Sequence, residues 1–552
     1  MELKHDTTRD ELARELHTEI YPGTEIMTDV GSHHFVKSSS HPDRVLVPQP
    51  SNDPHDPLNW SRMRKLVVMS IATAVSFSQG LGPLALAPMF PQLMESFDAD
   101  LAAVVKFTGV CILVLGFSNF FWIPIQTTFG RRPVLIFSTL VCVVSNIWRA
   151  TAKSYGSYMG ACVLNGFGAG PAETSQPEII ADVLFLHERG AYNTLYFTAY
   201  FGSLMVGPII AGPMAEHVGW RHFFWFNTAL LAVVLILVVC FFPETKWTRL
   251  PPTEGRSVET TPETKTSGEK PTETFEENAS PSDPETQSTT TNTRTTSLVG
   301  SGTPSKSQFA LYHLPKEAST LRTLALAFYI PWKLHVFPII HLAAFVVSWS
   351  ASVFLTLNLT QSQAFAAPPY NFSSQTIGFF NFAILVGALI GLFTNGPLSD
   401  WISMRATLKN RGVREPEMRL PTMIPYFVIC IVGNFVVAFG YEYKWDWKII
   451  VLIGYTCAGI QVAALPAIVS TYAVDSYKPV AGSIFVTITV NKNLWGYGFS
   501  EFITKWIEAD GFVKPIMLNT GLTVLWCLCA VPFYVWGKRV RKWTAKSSVH
   551  DM

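Results

Sequence analysis

Charged residues are scarce in this chain of 552 residues. Asp, Glu, Lys and Arg make up 15% of it, whereas soluble globular proteins average about 25%. The eight cysteines all lie inside long apolar runs, where they cannot form an extracellular disulfide framework, and we interpret them as small core residues. The first sixty residues lack the basic and then apolar pattern of a secretory signal. These absences exclude a soluble domain and a disulfide scaffold, and they indicate a polytopic membrane protein.

Sequence patterns that carry catalysis or nucleic-acid binding are also missing. No Gly-x-x-x-x-Gly-Lys-Ser/Thr sequence indicates a nucleotide site, no His-x-x-x-His or paired-Cys spacing indicates a metal site, and no serine lies in a nucleophile elbow. Basic residues are spread over short loops and tails instead of one patch, so nothing supports a nucleic-acid partner. We therefore expect no enzymatic activity, no cofactor and no metal.

Apolar residues are nearly absent from residues 251–307, which consist mainly of Thr, Ser, Pro, Glu and Lys and cannot form a core. Six apolar runs precede this segment and six follow it, each near the roughly 20 residues that a helix needs to cross a bilayer. We predict a cytoplasmic tail (1–64), a six-helix bundle (65–246), a disordered linker (247–332), a second bundle (333–538) and a short tail (539–552). The twelve predicted spans cover residues 66–93, 106–128, 133–152, 157–184, 190–214, 220–242, 336–361, 376–398, 420–441, 447–473, 479–506 and 514–537.

Basic residues concentrate in alternate loops, which predicts by the positive-inside rule that both termini and the linker are cytoplasmic. The sequence Asn371-Phe372-Ser373 then lies outside, between spans seven and eight, and makes Asn371 a candidate glycosylation site. We expect a monomer in the plasma membrane, with the vacuolar membrane as the alternative.

Two loops at equivalent places in the two halves carry related motifs. Gly130, Arg131 and Arg132 follow span two, and the sequence from Gly396 to Asp400, with Arg405 beyond it, follows span eight. They resemble different parts of the cytoplasmic-loop signature of the major facilitator superfamily, Gly-x-Leu-x-Asp-Arg-x-Gly-Arg-Arg. Complementary fragments of one motif in the two halves indicate an internal repeat.

Span five adds a second resemblance. Its residues Gly207, Pro208 and Gly212 resemble the Gly-Pro signature of the drug/proton antiporter branch. The segment from Asp53 to Trp60, and the pair Trp220-Arg221, resemble fungal members of the twelve-span drug/proton antiporter type.

The resemblance implies an all-α membrane protein with twelve transmembrane helices in two pseudo-symmetric six-helix bundles. It also implies a proton-coupled secondary transporter that works by alternating access and exports small organic compounds such as drugs, toxins or secondary metabolites. Its partners would then be a small-molecule substrate, protons and the lipid bilayer. Two alternatives stay open: an uptake transporter for a nutrient, polyamine or cation, and a membrane nutrient receptor that does not transport.

The motif residues have more than one physical interpretation. Arg131 and Arg132 could hold the two halves together by pairing with an acidic residue or a helix C-terminus across the seam, or they could only set the topology. In span five, the glycines and Pro208 could form a hinge or could only permit close helix packing.

Charged residues inside the predicted spans indicate a functional site more strongly than these motifs do, since each charge costs about 2.5 to 3.5 kcal/mol at the centre of a membrane helix. Glu173 and Glu178 of span four lie about 140° apart around a helix, so we expect only one of them to face a central cavity. We predict that Glu173 carries the proton, with a structural hydrogen bond as the alternative. Lys492 of span eleven needs a partner, either a carboxylate or an anionic or carbonyl-bearing substrate. The further candidates for the cavity wall are Asn491, Asn493, Tyr196 and Trp349.

Overall fold

The computed structural model describes residues 24–26, 48, 50–51, 53–247, 299–311, 320–410, 413–477, 480–545 and 547. Helices form nearly all of the regular structure in these ranges. The two described strands, β1 (Glu25–Ile26) and β2 (Val413–Arg414), have two residues each and pair antiparallel.

The described residues of the first half form eight α-helices. They are α1 (Arg62–Gly80), α2 (Phe90–Phe97), α3 (Leu101–Phe129), α4 (Arg131–Thr151), α5 (Tyr155–Ala169), α6 (Pro171–Val183), α7 (Leu186–His217) and α8 (Trp220–Phe241). A turn and a 3-10 helix (Ala87–Met89) join α1 to α2, and α5 meets α6 at Gly170, so these two pairs occupy the places of predicted spans one and four.

The second half begins with a helix that the sequence analysis did not predict, α9 (Thr320–Leu334). Then follow α10 (Pro338–Phe365), α11 (Ser374–Lys409), α12 (Met423–Glu442), α13 (Thr456–Ser476), α14 (Ala481–Asp510) and α15 (Val513–Thr544). A 3-10 helix (Pro416–Thr422) precedes α12, and a π-helix (Ile450–Tyr455) runs directly into α13. We call the end of the bundles where α1 begins and α15 finishes the tail end, and the opposite end the far end.

Nine helical stretches among the described residues are long and apolar enough to cross a membrane. They correspond to nine of the twelve predicted spans, while α1, the pair α5–α6, and α14 do not meet the same test. The exceptions have a physical reason: α5 and α6 have only 15 and 13 residues because the helix breaks at Gly170, α14 carries Lys492 between two asparagines, and α1 begins in a basic segment. Two of these exceptions hold the charged candidates, Glu173 and Glu178 in α6 and Lys492 in α14.

The two halves meet along two helix pairs, α3 with α14 and α7 with α11. At the far end α7 and α11 approach so closely that a Cβ on Gly212 would lie 2.5 Å from the carbonyl oxygen of Ser374 and 3.2 Å from the Cα of Gly378. Also at that end, Lys106 of α3 pairs with Glu501 of α14 at 3.4 Å. Both contacts join the N-terminal half to the C-terminal half.

Residues near the end of the predicted linker are structured, so the prediction of a disordered segment through residue 332 is wrong there. The backbone N–H groups of Gly300 and Gly302 both donate to the carbonyl oxygen of Asn59 at 2.9 Å. The Gln308 carbonyl accepts from the Glu244 backbone N–H at 2.8 Å. These bonds satisfy the backbone groups of a short polar segment against the first bundle. Residues 248–298 lie outside the described residues.

Helix α9 also lies in the predicted linker, apart from its last two residues, and it touches both halves. Trp332 stacks on Phe120 of α3 with the ring centroids 4.6 Å apart. The Pro331 carbonyl accepts a hydrogen bond from Thr487 of α14 at 3.0 Å. Apolar residues of α9, which lies beyond the polar residues 251–307, thus continue the packing of the bundles.

Two deletions of equal length test the linker. Removing residues 253–296 should leave the melting temperature and transport unchanged, because so polar a composition orders nothing on its own. Removing residues 266–309 should lower the melting temperature by several degrees, since it takes away the contacts with Asn59 and Glu244. Thermal unfolding of the detergent-solubilised protein measures both, and equal melting temperatures for the two deletions would contradict the expectation.

The predicted N-terminal tail contacts the second half. The Thr24 hydroxyl donates to Glu415 at 2.9 Å next to the β1–β2 pair. Arg541 of α15 is fully buried there and donates to Glu415 at 2.6 Å and to Glu417 at 2.8 Å. This buried ion cluster anchors α15 to the segment that precedes α12.

Candidate transport site

A narrow cavity lies at the seam, about midway along the helices. Its volume is about 70 Å³, well below the roughly 300 to 1,000 Å³ of typical ligand pockets. Most of the wall is apolar, and the polar groups converge on one carboxylate, that of Glu173. The residues lining the cavity include Pro83, Leu84, Ile112, Leu115, Glu173, Tyr200, Phe201, Leu204, Ser352, Phe354, Leu355, Lys492 and Asn493.

Glu173 is bound by side chains from both halves. The Tyr200 hydroxyl of α7 and the Lys492 ammonium of α14 both donate to its Oε1. Asn493 Nδ2 donates to its Oε2 at 3.3 Å. Lys492 also lies over the Tyr200 ring, 5.8 Å from the centroid. The Glu173 side chain is almost fully buried, so this ion pair is a polar contact inside the seam.

Two prolines place Glu173 at the break between α5 and α6. Pro171 has no N–H for the carbonyl of Phe167, and Trp122 Nε1 donates to that carbonyl at 2.8 Å instead. Pro177 likewise leaves the Glu173 carbonyl without its helical donor, and the Tyr196 hydroxyl donates to it at 2.8 Å. The freed carbonyls are therefore satisfied by side chains, which allows the helix to bend at the site.

Three predicted cavity residues lie elsewhere. Tyr196 is buried against the α6 backbone, where it replaces the missing proline donor. Asn491 points to His335, with 3.0 Å between Asn491 Nδ2 and His335 Nε2, because it lies on the face of α14 that meets the segment after α9. Trp349 packs against Trp495 with the centroids 5.2 Å apart, and it is not among the described residues that line the cavity.

Glu178, the second predicted carboxylate of span four, has different partners from Glu173. Arg131 Nε lies 2.8 Å from Asp182, and its Nη2 lies 3.4 Å from Glu178. Gln126 also donates to Glu178 at 2.9 Å. These partners belong to the same half as Arg131, so its described contacts do not support pairing across the seam, one of the two interpretations that the sequence left open. It is Glu178 that touches the second half, because its carboxylate lies where a Cβ of Gly482, the second residue of α14, would be.

Arg132 completes the loop motif inside the first bundle. It donates to the carbonyls of Val239 at 2.7 Å and Phe242 at 3.1 Å, at the C-terminus of α8. Such carbonyls are orphaned by the end of the helix and carry partial negative charge. The predicted partner, a helix C-terminus, is thus present, but it lies in the same half and not across the seam.

Two features require a glycine at position 130: the backbone conformation there and the neighbouring side chain of Glu244. The φ of Gly130 is +113°, and a Cβ would overlap the carboxylate of Glu244. That carboxylate accepts the backbone N–H groups of Arg131 at 2.8 Å and Arg132 at 3.1 Å, which are orphan donors of the α4 N-terminus. Glu244 therefore acts as a distant cap of α4.

Replacing Gly130 by alanine should destabilise the protein by about 1 to 3 kcal/mol, since the left-handed backbone becomes strained and Glu244 is displaced. Gly396 is the matched control from the second half, because a Cβ there meets nothing within 4 Å. Gly396→Ala should be neutral or stabilise by up to about 1 kcal/mol through helix propensity. Unfolding of both variants in mild detergent checks the difference, and equal stabilities would refute it.

The second half has its own arginine cluster. Arg419, just before α12, lies 3.1 Å from Asp475 near the end of α13 and 3.9 Å from Asp400. This arrangement mirrors that of Arg131 with Asp182. Arg405, which the sequence analysis assigned to the motif, instead stacks on Trp401 at 3.8 Å because both lie on an exposed face of α11.

The span-five residues are placed for close packing. A Cβ on Gly207 would lie 2.5 Å from the Leu81 carbonyl oxygen in the turn after α1. The Pro208 carbonyl oxygen would lie 2.7 Å from a Cβ on Gly378 of α11.

Asn371, the candidate glycosylation site, lies exposed in the loop between α10 and α11, with a φ of +49°.

Three contributors to these clusters were not among the predicted site residues. Tyr200 belongs to a tyrosine stripe with a four-residue spacing, but the stripe does not reveal which member faces Glu173. Glu244 follows span six immediately, where a lone acidic residue gives no signal. Arg419 occupies the same place before span nine that Arg131 occupies before span three, so a comparison of the two halves would have found it.

The chain is similar to known proteins over most of its length. The sequence model of the Major Facilitator Superfamily matches residues 68–491. The MFS-type transporter C1271.10c of Schizosaccharomyces pombe is 25% identical over 529 residues, which cover 91% of this chain and 89% of that protein. The efflux pump radE of Floropilus chiversii is 23% identical over 497 residues, which cover 89% of this chain and 83% of that protein.

A solved structure shows the likeness of fold. The crystal structure of the human organic anion transporter MFSD10 superposes with a TM-score of 0.54 at 14% identity, covering 84% of this chain and 99% of that one. The fold class predicted from the sequence, two pseudo-symmetric helical bundles, is confirmed.

Proposed function

Because the chain belongs to the major facilitator superfamily, we propose that it is a proton-coupled secondary transporter that works by alternating access and exports small organic compounds. The observation that carries the proposal is the contact between Glu173 of the first half and Lys492 of the second half, inside the seam cavity. A charge pair at this place ties the protonation of one residue to the relative position of the two bundles.

The proton step follows from the hydrogen bonds of Glu173. An ionised carboxylate only accepts, and here Tyr200, Lys492 and Asn493 all donate to Glu173. A proton on Glu173 would remove the negative charge that holds Lys492 and turn one acceptor into a donor. The bridge between α6 and α14 would loosen, and loss of the proton would restore it. Proton binding and the closed state would thus be coupled thermodynamically.

The cavity wall indicates the substrate class. Apolar side chains such as Ile112 and Phe354 surround a few polar groups, an arrangement that suits amphipathic organic molecules. The present volume is too small for such a molecule, so the two halves must separate to admit it. Once released from Glu173, Lys492 could bind a carbonyl or carboxylate of the substrate.

Closure at the tail end would use Glu178. Arg131 and Gln126 hold its carboxylate beside Gly482, at the N-terminus of α14. A negative charge is favoured there because the first N–H groups of a helix carry partial positive charge. This contact crosses the seam without a salt bridge and can therefore break when the halves separate.

Export is the direction that we propose, since radE is named an efflux pump. Uptake of a nutrient, polyamine or cation is the alternative within the same fold, and a nutrient receptor that binds without transport is the alternative outside transport. We also propose cytoplasmic termini, a monomer in the plasma membrane and glycosylation at Asn371, on the basis of the loop charges and the Asn-Phe-Ser sequence.

A growth screen followed by flux measurements tests the proposal. Deletion and overexpression strains are grown on a panel of toxic compounds and nutrients, and each hit is labelled and offered to proteoliposomes under an imposed pH gradient. Export predicts resistance on overexpression and accumulation driven by the gradient. Binding without accumulation would identify a receptor, and growth on a nutrient that requires the protein would identify uptake.

A further inference from the structure

A second cavity lies outside the transport site, in a groove between α12 and α15. Its volume is about 270 Å³, compared with about 70 Å³ for the cavity at the seam. One wall includes Met423, Ile424 and Phe427 of α12, and the other includes Leu528 and Val531 of α15. Both helices belong to the second half, so separation of the two halves as rigid bodies would leave the groove unchanged. It is therefore not part of a path that opens and closes at the seam.

The groove opens to the outer surface of the helical bundle. In the apolar windows of the stretches that contain α12 and α15, 44% and 33% of the residues are buried, compared with 83% for α10, so these two helices are peripheral. Ile424, Leu528 and Val531 line the groove and are exposed. In a membrane protein such side chains face the hydrocarbon of the bilayer. A polar occupant would lose its hydration there without gaining hydrogen bonds, so the groove suits an acyl chain.

Basic residues continue the line of the groove toward the tail end. Val531 and Tyr534 are the groove residues of α15 nearest that end, and Lys538 and Lys542 follow at intervals of four residues. Side chains three and four residues apart share one face of a helix, so the two lysines lie beyond the groove on the same face. Lys542 is exposed and Lys538 is partly exposed. Both side chains therefore reach the surface at the mouth of the groove.

Cations outnumber carboxylates at this mouth. The last turns of α15 hold four cations, Lys538, Arg539, Arg541 and Lys542. The segment before α12, residues 413–422, faces them with two carboxylates, Glu415 and Glu417. Glu415 lies 3.3 Å from Lys538 and accepts from Arg541 at 2.6 Å, and Glu417 accepts from Arg541 at 2.8 Å. Four cations against two carboxylates favour an anionic group at this end of the groove.

The depth of the groove matches one leaflet of a bilayer. Trp536 and Trp543 are exposed near the end of α15, and tryptophans of this kind are typical of the membrane interface. They place Lys538 at the depth of the lipid headgroups. Cys527 lies at the deep end of the groove, eleven residues before Lys538, which is about 16 Å along a helix. This is about half of the roughly 30 Å of the hydrocarbon core.

We propose that the groove between α12 and α15 is a binding site for an anionic phospholipid of the tail-end leaflet. One acyl chain lies between Ile424 and Val531, and the phosphate lies beside Lys538 and Lys542. With the termini cytoplasmic, as proposed above, this is the leaflet that holds phosphatidylserine and phosphatidylinositol. The bound lipid would join α12 to α15 along an open face of the second half.

Native mass spectrometry of the full-length protein in detergent tests the proposal by titration with dioleoyl phosphatidylserine or dioleoyl phosphatidylcholine. The two lipids have the same chains, so a difference in binding reports the headgroup. The first phosphatidylserine should bind at least about tenfold more tightly, because a basic residue near an anionic lipid is worth about 1 kcal/mol. The double variant Lys538→Gln with Lys542→Gln should lose about fivefold in affinity for each charge removed. Lys514→Gln, at the far end of α15, should retain the preference.

A second pair of variants tests the groove itself. Val531→Trp fills the groove from its exposed rim and should weaken the binding of both lipids, whereas Leu525→Trp changes an exposed residue of α15 that does not line the groove and should not. Equal affinities of the wild type for the two lipids would overturn the proposal. So would undiminished phosphatidylserine binding in both the lysine variant and Val531→Trp. A dimer that dissociates in Val531→Trp would also overturn it, because the groove would then be a contact between two copies of the chain.

Discussion

Glu173→Gln should abolish accumulation driven by a pH gradient and preserve exchange. Glutamine keeps the shape and an acceptor oxygen for Tyr200 and Lys492, but it cannot take up a proton. Accumulation of labelled substrate in proteoliposomes should fall to the level of protein-free vesicles. Exchange of labelled for unlabelled substrate, which needs no net proton movement, should stay within a few-fold of wild type. The ratio of the two rates is the decisive measurement.

Glu178→Gln is the matched control, since it changes the other carboxylate of α6 in the same way. Its partners Arg131 and Gln126 lie at the tail end, away from the cavity. Accumulation and exchange should therefore decline together, with their ratio unchanged. Accumulation at the wild-type level in Glu173→Gln would refute the assignment and move attention to Glu178, Asp182 or Glu501.

The sequence alone was sufficient to predict those features of the structure that depend on a short stretch of the chain. The apolar runs predicted the places of the helical stretches, because the length of a span is set by the bilayer and can be read locally. Glu178 and Asp182 are four residues apart, which places them on one face of a helix, and both do contact Arg131. The need of Lys492 for a partner followed from the cost of a charge at that depth.

Features that depend on how distant elements are oriented could not be predicted in this way. Tyr196 and Tyr200 lie four residues apart on one helix, yet one bonds the backbone freed by Pro177 and the other bonds the carboxylate. Which tyrosine does which depends on the rotation of α7 against α6. Glu244 caps α4 from 113 residues away in the chain, and no pattern in the sequence around either of them indicates that contact.

The linker shows the limit of arguments from composition. A polar segment was expected to lack structure, but Gly300 and Gly302, which belong to it, bond the carbonyl of Asn59. Composition reports whether a segment can form a core of its own. It does not report whether the segment finds partners on a surface that the rest of the chain supplies.

Lys492→Ala should have the second large effect, because it leaves the Glu173 carboxylate buried without its cation. Breaking a buried pair from one side costs about 3 to 5 kcal/mol, and we expect the lower end of that range since Lys492 is partly exposed. Transport driven by a pH gradient should also be lost. The double variant with Glu173→Gln should be more stable than the sum of the single changes by about 1 to 3 kcal/mol, the coupling energy of a contacting pair.

The control for this cycle is Lys106 of α3, which also pairs the first half with α14, through Glu501 at the exposed far end. Lys106→Ala should cost no more than about 1 kcal/mol, because water and salt screen an exposed pair. Denaturant unfolding in mild detergent gives all of these free energies. Additivity of Glu173→Gln and Lys492→Ala within about 0.5 kcal/mol would mean that the pair does not couple the halves. The proton-driven opening proposed for the seam would then lack its physical basis, since releasing Lys492 would change nothing in the second bundle.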